Sequence, residues 1–309
     1  MAVTQKGMDR MNLNLGTVTS PPRNEGASVL RAKAALRARL ERPRREGLTI
    51  GLVPTMGYLH DGHLSLLRAA RAECDLVVIS LFVNPTQFGP GEDLDRYPRD
   101  EERDLRLATE AGVDLVYAPP VDEVYPEGFA TAVEVGGNLT SVLDGDPARR
   151  GPEHFRGVTT VVAKLFNSVG PDVAYFGQKD AQQAAVIRRM VRDLDFPVRI
   201  EVLPTVREPD GLAMSSRNAY LDEGDRRRAL AISRALGAVE RGAREESLQA
   251  GLAAARDELA GAGIEPEYLE ARDAELLEPV AELNGRPVLV AIAARVGGAR
   301  LIDNVLIRP

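Results

Sequence analysis

Residues 48–83 read LTIGLVPTMGYLHDGHLSLLRAARAECDLVVISLFV. Two apolar runs, LTIGLVP (48–54) and DLVVISLFV (75–83), flank HLSLLRAARAE (63–73), whose apolar positions recur at helical spacing. Unbroken Val/Ile/Leu runs of strand length, without polar alternation, suit strands covered on both faces. A strand, a helix and a strand in so short a span make a βαβ unit, and its two strands are parallel.

The alternation continues outward from this unit. RDEERDLRLATEAG (99–112) predicts a helix, and its acidic first turn, Asp100, Glu101 and Glu102, suits the positive end of the helix dipole. VDLVYAP (113–119) predicts a strand, VTTVVAKLFNSVG (158–170) a helix and DVAYFG (172–177) a strand. DAQQAAVIRRMVRDL (180–194) predicts a helix and PVRIEVLPTV (197–206) a strand. Upstream, Ala27 to Arg45 carries Val29, Ala32, Leu36 and Leu40 at near-helical spacing and predicts one helix, broken by EG at 46–47. The first 25 residues hold PPRNEG and no periodicity, which predicts a poorly ordered arm with Met8 and Met11 as alternative starts. After residue 205 the pattern changes. Helices are expected over 225–242 and 245–262, then strands at PEYLEARD, RPVLVAIAARV and ARLIDNVLI, the last two joined by a Gly297–Gly298 hairpin turn. The expected architecture is α/β, with a Rossmann-like parallel-sheet domain over 1–205 and a smaller C-terminal α+β domain over 206–309.

Composition bounds the function. With 44% apolar and 28% charged residues the chain is of the soluble globular class. No apolar run is long enough to cross a bilayer, and the N-terminus lacks a signal peptide's apolar core, so a cytoplasmic protein is expected. Cys74 is the only cysteine, which excludes an intrachain disulfide, and its place at the mouth of an apolar run reads as a buried filler. A net charge of −7 weighs against a broad nucleic-acid surface.

The chemistry gathers at strand ends. Two of the three histidines, His60 and His63, lie in VPTMGYLHDGH (53–63), between the first strand of the unit and its helix. Ligands of open α/β sheets bind beyond the carboxyl ends of the strands. A helix N-terminus there offers free N–H groups to phosphate, and Gly57 and Gly62 permit close backbone approach. Two imidazoles on adjoining turns suit a nucleotide triphosphate. The same spacing also fits a plain surface turn, or a zinc site completed by His154. There is no HExxH, paired CxxC, GxxxxGK[ST] or GxGxxG. Three more stretches fall at the same sheet edge or the domain boundary. They are NPTQF (84–88) with Asn84 and Gln87, GQKD (177–180) with Lys179 and Asp180, and DGLAMSSRN (210–218) with Ser215, Ser216 and Arg217. Lys179 supplies a point charge for phosphate, and Asp180 a helix cap or a metal contact.

Taken in order, PTMGYLHDGH, FVNPTQFGPGEDLDRYPR, HFRGVTTVVAKLF, FGQKDAQQ and PTVREPDGLAMSSRN resemble the pantoate–β-alanine ligase (pantothenate synthetase) family of the HxGH nucleotidyltransferase superfamily. PEYLE and RLIDN continue the resemblance, while residues 1–25 lie outside it. The resemblance implies a ligase of pantothenate biosynthesis. Pantoate's carboxylate attacks the α-phosphate of ATP to give pantoyl adenylate and pyrophosphate, and the β-alanine amine then displaces AMP. It implies ATP with Mg²⁺, a homodimer, and no nucleic-acid or membrane partner. It implies ATP contacts at Met56, Gly57, Tyr58, Leu59, His60, Asp61, Gly62 and His63, at Gly177, Gln178, Lys179 and Asp180, at the Val206 backbone, and at Met214, Ser215, Ser216 and Arg217. His63, His60 and Lys179 are the implied catalytic groups, with His63 as the family's proton donor. Gln87 and Gln183 are the implied pantoate contacts, Gln87 also for β-alanine, with Asn84 beside them. The family implies a mobile AMSSRN loop and a C-terminal lid, and Asp180 is a candidate metal contact. Position 178 departs from the expected Glu. A different HxGH nucleotidyltransferase would not need Gln87 and Gln183, a nucleotide sensor would leave both without a role, and nothing reads as a basic tRNA-binding domain.

Overall fold

In the computed structural model, which describes residues 27–308, the strand–helix alternation takes the form β1 (Ser28–Leu30), α1 (Lys33–Arg45), β2 (Ile50–Thr55), α2 (Asp61–Glu73), β3 (Leu76–Leu81), α3 (Glu101–Glu110) and β4 (Leu115–Tyr117). There follow α4 (Val121–Val124), α5 (Pro152–Val169), β5 (Val173–Gly177), α6 (Ala181–Asp193) and β6 (Arg199–Leu203). The chain ends with α7 (Glu223–Glu245), α8 (Leu248–Gly261), β7 (Pro266–Asp273), β8 (Val288–Val296) and β9 (Ala299–Ile307). The expectations for residues 1–25, including Met8 and Met11, lie outside the described residues.

β1 to β6 form one parallel sheet in the order β1-β4-β3-β2-β5-β6. Its faces alternate with the pleat. In β5, Ala174 and Phe176 join the core under α1, α5 and α6, while Val173 and Tyr175 join the core under α2 and α3. Both faces are therefore covered, which is why these strands read as unbroken apolar runs. Cys74 is buried at the second face, its Sγ 3.4 Å from the Tyr175 hydroxyl.

One expected element differs. Ala27 to Arg45 is not a single helix, because Ser28–Leu30 peels off to pair in parallel with Leu115–Tyr117 at the sheet edge. The helical spacing of Val29 with Ala32 is coincidental. Val29 is 37% exposed, and the true helical stripe starts at Leu36 and Leu40.

The three C-terminal strands form an antiparallel sheet, β7-β8-β9, with α7 and α8 on one face. The other face is not open to water. Leu289, Ala291 and Ala293 of β8 and Tyr268 of β7 share a core with Leu139, Leu143, Phe155, Ala185 and Val186 of the larger unit. Val290, Ile292 and Ala294, the alternate residues of β8, pack under the helices. A central antiparallel strand that is apolar at consecutive positions is thus buried on both faces.

Candidate active site

In the parallel sheet β3 and β5 lie on opposite sides of β2. That reversal leaves a crevice at the carboxyl ends of β2 and β5, where open α/β sheets bind ligands. The HDGH turn follows β2, the GQKD turn follows β5, and the NPTQF turn follows β3. They open onto a cleft of about 970 Å³ that is also lined from the second sheet by Tyr268, Arg300, Asp303 and Asn304.

The His60 and His63 rings stack, with centroids 4.1 Å apart and planes 29° from parallel. His60 N–H donates to His63 Nδ1 at 3.4 Å, so that nitrogen carries the lone pair and the ring proton sits on Nε2. Burial, with help from the Lys179 charge, lowers His60 to about 4. Burial and the adjoining His60 and Lys179 hold His63 well below its ordinary value. Both rings are therefore neutral near pH 7, and they offer N–H dipoles rather than imidazolium charge. His60 Nδ1 is buried without a protein partner among the described residues.

Gln87 lies across the cleft. Its Oε1 accepts from Asn84 Nδ2 at 3.2 Å, and its Nε2 faces Met56 Sδ at 3.2 Å. Asn84 is 1% exposed and has no free valence. Nδ2 also donates to Gly157 O at 3.1 Å, and Oδ1 accepts from Thr86 and from the Tyr125 hydroxyl at 2.8 Å. Asn84, on the cleft wall beside Gln87 as expected, therefore holds the Gln87 amide in place. Gly157 must be glycine, since a Cβ there would lie 2.3 Å from Thr86 O. His154 completes the mount: Nδ1–H donates to Gln87 O at 2.7 Å, and Nε2 accepts from Arg150 at 3.1 Å. With both nitrogens engaged it does not complete a zinc site with His60 and His63, and no cluster of three metal-ligating side chains occurs among the described residues.

Neighbouring glutamines on α6 serve opposite purposes. Gln182 is buried, accepting from Asp144 N–H and donating to Leu139 O and Val142 O. Gln183 lines the cleft with no protein partner among the described residues. Lys179 Nζ lies 3.5 Å from Asp180 Oδ1. The expected cap from Asp180 is absent, since its side chain accepts no bond from the α6 N-terminus. The turn is instead gripped by Asn304 of β9. Asn304 Nδ2 donates to Gln178 O and Lys179 O, both at 2.9 Å, and Oδ1 accepts from Gln178 Nε2 at 3.1 Å. Gln178 thus points to the second sheet, away from the cleft, which explains how its lost charge is accommodated.

The AMSSRN loop is better tied than its small polar residues suggest. Leu212 and Ala213 are buried, Met214 N–H donates to Val206 O, and Asn218 donates to Glu208. Arg217 meets Asp93 in a two-pronged pair at 2.9 and 2.8 Å. Val206 lines the cleft; its carbonyl is taken, and its N–H has no partner among the described residues.

Of the expected residues, Met56, His60, Gly62, His63, Asn84, Gln87, Gly177, Lys179, Asp180, Gln183, Val206, Met214, Ser215, Ser216 and Arg217 line one cleft. Gly57, Tyr58, Leu59, Asp61 and Gln178 do not: Leu59 is fully buried in the core, and Asp61 faces solvent. Sequence reasoning missed Glu92 and Asp93, although they lie within FGPGED. It also missed Arg150, which holds Glu92 at 2.7 Å, and Asp144, whose carboxylate takes Arg300 and the Tyr268 hydroxyl at 2.8 Å each. Burial opposes ionisation of Asp144, but Arg300 wins and holds it down at about 2.

The family model for pantoate-beta-alanine ligase matches residues 28–306. A pantothenate synthetase of Moorella thermoacetica is 56% identical over 283 residues, covering 90% of this chain and 98% of that one. The crystal structure of pantothenate synthetase from Thermus thermophilus superposes with a TM-score of 0.85 at 50% identity, covering 91% of this chain and all of that one. A pantoate-beta-alanine ligase from Francisella tularensis, complexed with beta-gamma ATP and beta-alanine, superposes with a TM-score of 0.76 at 32% identity, covering 91% and 97%.

Proposed function

The chain belongs to the pantoate–β-alanine ligase family, and from that premise we propose how its own residues carry the reaction. The enzyme condenses pantoate with β-alanine at the expense of ATP, through pantoyl adenylate, releasing AMP and pyrophosphate. The observation that carries the assignment of roles is the neutral, stacked His60–His63 pair facing Lys179 at the β2/β5 crevice.

ATP lies along the HDGH and GQKD turns, with the Val206 N–H toward adenine and Ser215, Ser216 and Arg217 toward the phosphates. Pantoate sits between Gln87 and Gln183 against the apolar wall of Val158 and Val161. Its carboxylate attacks the α-phosphorus in line with the departing pyrophosphate. The chain supplies no nucleophile, so catalysis rests on alignment and on donors aimed at the charge that develops. His63 Nε2–H, His60 and Lys179 are those donors. Because both imidazoles are neutral, they stabilise the leaving group through hydrogen bonds, and the family's proton donor is here a dipole. The β-alanine amine then attacks the acyl carbon, and AMP leaves.

Mg²⁺ accompanies ATP in this reading. Glu92, Asp93, Asp144, Asp146, Glu267 and Asp303 of the cleft are all ion-paired with arginines, whereas among the described residues Asp180 is ion-paired with Lys179 alone. Asp180 is therefore the carboxylate fitted to touch the ion, which would neutralise phosphate charge. The unit over 206–309 covers the site. Since it shares a core with the larger unit, closure is assigned to the 208–219 loop. We place the enzyme in the cytoplasm as a homodimer; light scattering showing a monomer at micromolar concentration would refute the latter. No helix among the described residues is long and apolar enough to cross a membrane.

The test is single-turnover pyrophosphate release in His63→Ala. Loss of one preorganised donor should slow it by about 10²–10³. A rate near that of the unaltered enzyme would remove His63 from the chemistry.

A further inference from the structure

The backbone before the histidines is unusual. Gly57 has φ +84° and Tyr58 has φ +51°, the left-handed region that non-glycine residues avoid. Such a conformation persists only where its surroundings hold it. Two successive residues of α3 do so. The Asp104 carboxylate accepts the Tyr58 N–H and the Leu59 N–H, one on each oxygen, both at 2.7 Å. Arg103 donates to Leu59 O at 2.8 Å and lies over the Tyr58 ring at 5.4 Å. A Cβ at position 57 would come within 2.9 Å of Asp104 Oδ2, so the glycine and the carboxylate fit each other. Asp104 is 2% exposed, does not line the cleft, and has no task in the chemistry above.

We propose that Asp104 is a positioning residue for adenylate formation: by fixing residues 58 and 59 it aims the His60 N–H at His63 Nδ1 and so keeps the His63 proton on Nε2, toward the cleft. The inference rests on the reading of His63 as the donor to pyrophosphate. Burial raises the Asp104 pKa, against the effect of the two N–H groups, so the fold bears a cost to keep an acid at this position.

The test uses Asp104→Asn, which keeps the volume but offers only one oxygen to two N–H groups. The chain has three histidines, and His154, with its proton on Nδ1 toward Gln87 O, is an internal reference of the opposite tautomer. In ¹⁵N spectra the intact enzyme should show His63 protonated at Nε2. The variant should show mixed His63 tautomers with His154 unchanged, and pyrophosphate release about 10- to 100-fold slower at an unchanged pantoate KM. Arg103→Met removes the other half of the clamp from a partly exposed position, guards against a variant that does not fold, and should shift the same signals with a three- to tenfold slower rate. An unchanged His63 tautomer in Asp104→Asn overturns the inference. A shifted tautomer with an unchanged rate upholds the positioning and overturns the role given to His63.

Discussion

Replacing Asp93 by Asn should tighten ATP binding. The residue holds Arg217 through both carboxylate oxygens, and the two side chains are 13% and 25% exposed. In the proposed role Arg217 turns to the phosphates, so it must first leave Asp93. An exposed ion pair contributes less than about 1 kcal/mol, and breaking a fully buried one costs about 3–5 kcal/mol. At this intermediate burial the hand-over costs about 1–2 kcal/mol. Asn retains the shape and one acceptor but loses the charge. Removing that cost should strengthen binding by about five- to thirtyfold, at about 1.4 kcal/mol per factor of ten. Calorimetry with a non-hydrolysable ATP analogue, without pantoate, reads this directly. Arg217→Ala should weaken binding, and on that background Asp93→Asn should bring no gain. If Asp93→Asn leaves the analogue's affinity unchanged in a folded protein, Arg217 never leaves its carboxylate, and the phosphates are bound without it.

Gln183→Ala should weaken pantoate binding by about 1.5–3 kcal/mol, the range for a hydrogen bond to a charged group, with ATP affinity intact; equal losses for both ligands in separate titrations would contradict the assignment. Acid should destabilise the fold through His154. Burial, and secondarily Arg150, lowers it from 6.5 to about 4. Between those values the unfolded chain binds a proton that the folded chain refuses, so the stabilisation is complete above pH 6.5 and disappears as pH falls to 4. The loss is about 3 kcal/mol at 1.36 kcal/mol per pKa unit. His60 and His63 act in the same direction, so the His154 share is the difference in denaturation free energy between the intact protein and His154→Asn across that range. Equal pH slopes would refute it.

The parallel sheet was legible because burial on both faces leaves a compositional trace that needs no knowledge of partners. β1 was not, since three residues on a sheet edge have no pattern of their own. At the site, residue types at strand ends could be read, but the direction of each side chain could not. Gln182 and Gln183 differ only by one step around a helix, and that step separates a buried bracket from a free ligand group. Asn84 and Gln87 divide in the same way. Asp104 escaped notice because its partners lie 45 and 46 residues earlier, whereas Asp100, in the same acidic run, caps its own helix. The docking of the two sheets left one trace, the uninterrupted apolar run in β8.

The Asp144–Arg300 pair also sets a schedule for the newborn chain. The partners are 156 residues apart, so at 5–20 residues per second the ribosome needs roughly 8–30 s to deliver the arginine after the aspartate. Until then the first sheet can assemble, but its Leu143–Gly145 turn must hold a carboxylate beside an apolar patch without Arg300, with Arg150 at 4.0 Å as the cation already made. A chain that stops short of Arg300 therefore exposes both an apolar patch and a carboxylate without its strongest partner, on the cleft to which the substrates are assigned. The β8–β9 hairpin closes that patch, and with Asn304 it also grips the lysine turn. Closing the seam between the two sheets and bracing the lysine turn thus depend on one hairpin, residues 288–307, and a copy lacking it should be lost to proteolysis rather than persist as a slow enzyme.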